Sequence, residues 1–123
     1  MPWQHIQLTL ARTPEHASGS DKHGYDLVAP VNQDGRFDEA VWRTDQTKAH
    51  VRRFWDGEED QLGRLSHTRH RTWAFSYAPG EDDDEPIFHL ETHRLEEGEY
   101  VTITEADGAV LPFRISAMAP LDV

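Results

Sequence analysis

The sequence predicts a mainly β, single-domain protein: an antiparallel β-barrel or strongly curved sheet carrying one short helix. Three observations predict it. Apolar and polar residues alternate at period 2 in segment after segment, as where Ile6, Leu8 and Leu10 interleave with His5, Gln7 and Thr9; this marks a strand with one buried face. Turn formers separate the segments at hairpin-like spacing. Helix signals are strong in a single stretch, just after Asp38. A two-layer α+β sheet with that helix on one face is the alternative architecture. The 123 residues suit one domain spanning 1–123, long enough to bury a core without staples.

Taken in order, "WQHIQLTLAR" is the first strand, and residues 13–24, "TPEHASGSDKHG", are a turn-rich loop, with a flexible segment expected over 13–23. "YDLVAPV" is a short second strand whose Pro30 suits an end or edge. A turn at Asp34-Gly35 leads to a helix of two to three turns at most, with Asp38 as N-cap and Val41 and Trp42 facing inward. "KAHVRRFW" is a strand, and the adjacent Phe54 and Trp55 break strict alternation, which suggests a bulge. "DGEEDQLG" is an acidic turn. "RLSHTRHRTWAFSY" supplies one long strand or two joined near Arg69, with Trp73, Phe75 and Tyr77 on one face. "IFHLETH", "EYVTITE" and "AVLPFRISAM" complete seven or eight strands. For the last hairpin, a three-residue loop ending in a left-handed Gly108 pairs Val101 with Phe113 and Ile103 with Leu111, and buries these four with Ile115. A two-residue loop would mix polar and apolar residues on one face.

A net charge of −11 opposes the approach of nucleic acid or an anionic membrane. The charge is unevenly spread. From Arg36 to Arg71 eight basic residues meet seven acids, whereas from Glu81 to Asp107 eleven acids face Arg94 alone, so a local cationic patch is compatible with an acidic chain. With no cysteine, disulfides, thiolate metal sites and cysteine nucleophiles are excluded. The start of the chain lacks a basic segment followed by an apolar run, and no stretch approaches the roughly 18 apolar residues of a membrane span. The expectation is a cytoplasmic protein without membrane association. The phosphate-loop, dinucleotide, serine-hydrolase and zinc-protease motifs are all missing, and no cofactor is implied.

Two constellations could carry chemistry. Arg52, Arg53 and Trp55 on one strand, with Arg69, Arg71, Trp73 and Tyr77 on the next stretches, would interleave guanidinium and aromatic groups if the segments pair. Such a face stacks rings or clamps carboxylates and phosphates. Alternatively, these arginines neutralise the acidic loops Asp56 to Asp60 and Glu81 to Glu85. The second constellation is His89, Glu91 and His93, at alternate positions and hence on one strand face, where two imidazoles and a carboxylate could hold a divalent metal. Phe88 and Leu90 claim the core face, so the expectation is that these three are solvated and metal-free, with Glu91 paired to an arginine.

The string "HGYDLVAPVNQDGRFDEAVWR", with "VRRFW", "DDDEPIFH" and "GEYVTITEADG" after it, resembles a group of short acidic bacterial proteins without an assigned activity. The resemblance spans roughly residues 23 to 118 and implies a bacterial origin; it carries over no functional residue. The function expected from the residues is a small non-enzymatic binding or accessory module whose Arg/aromatic face takes an acidic small molecule or partner protein. The alternatives are a histidine-based metal protein or hydrolase and, third, weak single-stranded nucleic-acid binding. Edge strands and abundant aromatics leave room for a homodimer.

Overall fold

Alternating apolar residues give strands only one dry face, and a small sheet buries that face best by curling around it. The computed structural model, which describes residues 3–14, 16–67, 73–77, 85–87, 94–105 and 108–120, does this. Among the described residues are strands β1 (Trp3–Leu10), β2 (Ser20–Pro30), β3 (His50–Trp55), β4 (Gln61–His67), β5 (Trp73–Ser76), β6 (Glu85–Ile87), β7 (Tyr100–Thr104) and β8 (Val110–Pro120). Each pairs antiparallel with the next, and β8 returns to β1, closing the curl into an up-and-down barrel. The β6–β7 seam is joined, among the described residues, through Ile87 opposite Ile103. No described helix is long and apolar enough to cross a membrane.

Strand parity sets the interior. Ile6, Leu8, Leu10, Tyr25, Leu27, Val51, Leu65, Trp73, Phe75, Val101, Ile103, Phe113 and Ile115 are all buried. One end of the barrel is closed by aromatics. Helix α1 (Glu39–Thr44) starts at Asp38, whose carboxylate accepts from the Val41 N–H at 3.1 Å. It lays Trp42 edge-on against Trp73 at 4.7 Å between ring centroids, while Phe37 meets Trp73 at 4.6 Å. Such pairs contribute about 0.5–1.5 kcal/mol each beyond the area they bury. The Trp42 indole N–H donates to the Leu65 carbonyl at 3.2 Å, so its polar atom is satisfied.

The last hairpin has the expected register, Val101 opposite Phe113 and Ile103 opposite Leu111, with Gly108 at φ 92°; Leu111 is half-buried rather than buried. Three other details differ from expectation. The loop expected over 13–23 ends at Gly19, because β2 already begins at Ser20. The residues "SDKHG" have little strand propensity of their own, but His23 and Gly24 are held by Trp55 and Phe54 of β3. The bulge expected at Phe54 and Trp55 is absent, since β3 pairs with β2 residue by residue from Val51 to Trp55. Phe54 faces outward beneath Arg52 and Trp55 inward beside Arg53, so alternation holds. The irregularities lie along β1 instead, at Thr9/Leu10 toward β2 and at Gln7/Leu8 toward β8, where they sharpen the curl. Finally, the acidic turn is shorter than expected, because β4 starts at Gln61, paired with Arg53.

Candidate functional site

At the end of the barrel opposite Trp42 and Trp73 the interior turns polar. Arg53 follows Val51 at the inward parity of β3, Tyr25 precedes Leu27 on β2, and Glu105 follows Ile103 beyond β7. The Arg53 Nη2 donates to Glu105 Oε1 at 2.8 Å, Nη1 donates to Glu58 Oε1 at 3.1 Å, and the Tyr25 hydroxyl donates to Glu105 Oε2. The side chains of Arg53 and Glu105 are only 10% and 6% exposed. A charge removed from water this far requires a partner of opposite sign, and Glu105 provides it. The guanidinium also lies 4.2 Å from the Trp55 ring centroid, a cation–π contact.

The predicted arginine and aromatic face is therefore divided by the barrel wall. Arg53 and Trp55 come together inside. Arg52, one residue away, points outward and pairs with Asp26 and with Asp60 at 3.4 Å; its hydrogen bond to Asp26 holds the guanidinium above its ordinary pKa. Trp73 is buried at the opposite end, and Tyr77 is half-buried beside Gly63. Arg69 and Arg71 lie outside the described residues, as do His89, Glu91 and His93. Among the described residues no group of three or more His, Asp or Glu side chains is arranged to hold a metal ion. Arg52 and Arg53 engage the acidic turn through Asp60 and Glu58, the neutralising role open to them from the sequence.

From the polar interior a chain of contacts leads to the outside. Trp55 meets the His23 ring edge-on at 4.6 Å, and His23 sits 4.8 Å from His16. The His23 Nδ1 and Ser20 Oγ share a hydrogen bond of 2.7 Å, and the Lys22 N–H donates to the same oxygen at 3.2 Å. Burial, reinforced by the His16 imidazole and by Arg53, holds His23 below its ordinary pKa despite the opposing pull of Asp56 and Glu58. A neutral imidazole bonded to a hydroxyl three residues earlier, on an oxygen that also accepts a backbone N–H, fixes the start of β2.

That fixed start forms one wall of an open groove of about 550 Å³ on the outer surface of the barrel. Thr9, Arg114 and Tyr100 form its floor. They are outward by parity, and Arg114 stands opposite Thr9 on one side and Tyr100 on the other. Arg12, Ser18, Gly19, Ser20, Asp21 and Lys22 supply the rest of its polar lining, beside Leu10 and Ala11. The connector is pinned by Ala11 N–H to the Pro112 carbonyl at 3.0 Å and Gly19 N–H to the His16 carbonyl at 2.9 Å. Gly19 has φ 75°, and a Cβ there would stand 2.7 Å from the Leu10 carbonyl oxygen; only glycine lets the chain turn back this tightly against β1.

Arg12, Lys22 and Arg114 are exposed, and among the described residues none of them takes part in an ion pair. Three cations against Asp21, with the hydroxyls of Thr9, Ser18, Ser20 and Tyr100 beside them, form a surface suited to holding an anion. The predicted residue set contains none of these side chains. Their outward parity is readable, but their assembly is not, since Thr9 and Arg114 meet only when the last strand closes on the first. Comparisons with family models, curated proteins and solved structures found no match for this chain.

Proposed function

We propose that the protein is a small, non-enzymatic binding module that takes an anionic ligand in the Arg12–Lys22–Arg114 groove. The class is the one expected from the sequence, an acidic ligand bound through arginine and an aromatic, with its seat moved from Arg53 to the outer wall. The observation carrying the reading is the contrast in charge use. On a chain of net charge −11, Arg43, Arg52, Arg53 and Arg94 are matched by carboxylates, while the three groove cations, like Arg36 and Arg64 elsewhere, have no ion-pair partner among the described residues, and the groove gathers three of them around one lining. Exposed cations desolvate cheaply and bind a carboxylate or phosphate with charge-assisted hydrogen bonds. The acidity of the rest of the chain selects against long polyanions, which favours a small ligand. A bacterial, cytoplasmic setting, where anionic metabolites abound, is part of the same proposal.

Calorimetric titration of inorganic phosphate into the protein at low ionic strength tests the reading. Saturable binding is expected, together with a rise in the thermal midpoint, since ligand at about 100 times its Kd stabilises the fold by about 2.7 kcal/mol. Arg12→Gln combined with Lys22→Gln is expected to abolish both effects, each substitution changing the ligand-free stability by no more than about 0.5 kcal/mol, the usual range for surface positions. Absence of saturable binding, or full retention of binding by the doubly substituted protein, would sink the proposal.

A further inference from the structure

Tyr100 is 56% exposed, one of the few large apolar side chains left open on this surface, and it lies in the groove. Its ladder partner is Arg114, whose partner on the other side is Thr9. Ring, guanidinium and hydroxyl thus form one row across β7, β8 and β1. Neighbouring strands lie about 4.8 Å apart, so the row spans roughly 10 Å. Beyond β1 lies β2, where Gly24 faces Thr9 and Ser20 faces Leu10 with Lys22 between them in sequence, and Arg12 stands on the connector after Leu10. The groove is therefore graded in strand order, with an aromatic platform on β7, a guanidinium on β8 and an ammonium on β2, and a second guanidinium, Arg12, lines it from the connector.

We infer that the groove binds a nucleoside monophosphate, with its phosphate between Arg12 and Lys22, its sugar over Arg114 and Thr9, and its base stacked on Tyr100. The inference rests on the anion-binding reading and gives it a ligand class. A bare inorganic anion or a small carboxylate would fill only the cationic end and leave the ring unused. A flat base joined to a phosphate through a sugar matches both the order of the groups and their spread. Tyrosine stacks any of the four bases, because each presents a π face, and the guanidinium can lie along the edge of the stack or bond the sugar hydroxyls. The net charge of −11 works against a longer strand, since each added phosphate adds to the repulsion between strand and protein.

The test compares inorganic phosphate, ribose 5-phosphate, AMP, GMP, CMP and UMP by calorimetry on the native protein and on Tyr100→Ala and Tyr100→Phe, each variant first checked for native circular dichroism. At least one nucleotide is expected to bind about tenfold more tightly than ribose 5-phosphate, a factor in the range measured for base–aromatic stacking. Tyr100→Ala should erase that factor and leave ribose 5-phosphate affinity unchanged; Tyr100→Phe should keep it. If all four nucleotides bind only as well as ribose 5-phosphate, or if Tyr100→Ala leaves nucleotide affinity intact, the base platform is wrong while the anion site stands. If neither inorganic phosphate nor any phosphorylated ligand binds, both readings fall. Affinity for oligothymidylate that grows with length beyond that for the monophosphate would replace the mononucleotide with a single strand.

Discussion

Arg53 points into the barrel and Arg114 out of it, and the two arginines meet opposite conditions. Inside, the guanidinium is almost fully removed from water and is held by Glu105, Glu58 and the face of Trp55. Outside, Arg114 stands among hydroxyls, with no carboxylate partner among the described residues. The difference follows from desolvation. A buried charge is tolerated only when the protein itself supplies the counter-charge, and a charge so matched has little left to offer a ligand. An exposed charge needs no internal partner and remains available. The contrast separates the part of the molecule that holds the lip of the barrel in shape from the part able to bind.

The largest effect that could break this comparison is expected inside. Glu105→Ala removes the buried carboxylate that pairs with Arg53 and accepts from the Tyr25 hydroxyl. Chemical denaturation should show a loss of about 3–5 kcal/mol, the usual cost of removing one member of a buried pair. Replacing the cluster as a whole, Arg53→Met with Glu105→Leu and Tyr25→Phe, is expected to restore stability to within about 1 kcal/mol of the native chain or above it, since neither member of the Arg53–Glu105 pair is then left buried without the other. A Glu105→Ala protein as stable as the native one would show that the interior cluster is not a matched pair at all.

A smaller effect is expected at Gly24, on the strand that joins the two regions. A Cβ there would lie 1.9 Å from the Leu8 carbonyl oxygen and 3.1 Å from the Phe54 ring. Because the first contact is backbone, β1 itself would have to move. Gly24→Ala should cost roughly 1–3 kcal/mol, as overpacking of a tight site does, and should also weaken phosphate binding, because β1 and β2 flank the groove. Unchanged stability would mean that the β1–β2 register is looser than described.

The smallest effect concerns His23, the link from Trp55 to Ser20. Its pKa in the fold lies below 6.5, chiefly through burial and then through His16. The unfolded chain therefore takes up a proton more readily than the native one, so stability is fully present above the unfolded value and falls as pH drops below 6.5 toward the folded pKa. Denaturation curves at pH 7 and pH 5.5 should show a decrease for the native chain that shrinks in His23→Gln. An identical decrease in both proteins would assign the pH dependence to other groups.

How much of this could be read beforehand depends on the range of the interactions. The Val101–Ile103 and Phe113–Ile115 pattern specified the last hairpin, because a register slip of one residue would have turned every apolar side chain outward. The Asp38 cap was equally legible, being a local hydrogen bond. The early start of β2 was not, because "SDKHG" is extended by its neighbour in the sheet and not by its own preferences. For the site, parity alone separates Arg52 from Arg53 and places Glu105 inward after Ile103, so the interior cluster was within reach of the sequence. The groove was not, since its floor joins residues 9, 100 and 114 across the seam that closes the barrel.

The most direct test of the central contrast is to follow backbone amide resonances of ¹⁵N-labelled protein while inorganic phosphate is added at low, constant ionic strength. Saturable shifts are predicted at Gly19, Ser20, Lys22 and Arg114, with the amides of Arg53 and Glu105 unmoved. Shifts centred on Arg53 and Glu105, or no saturable shift at the groove residues, would contradict the account.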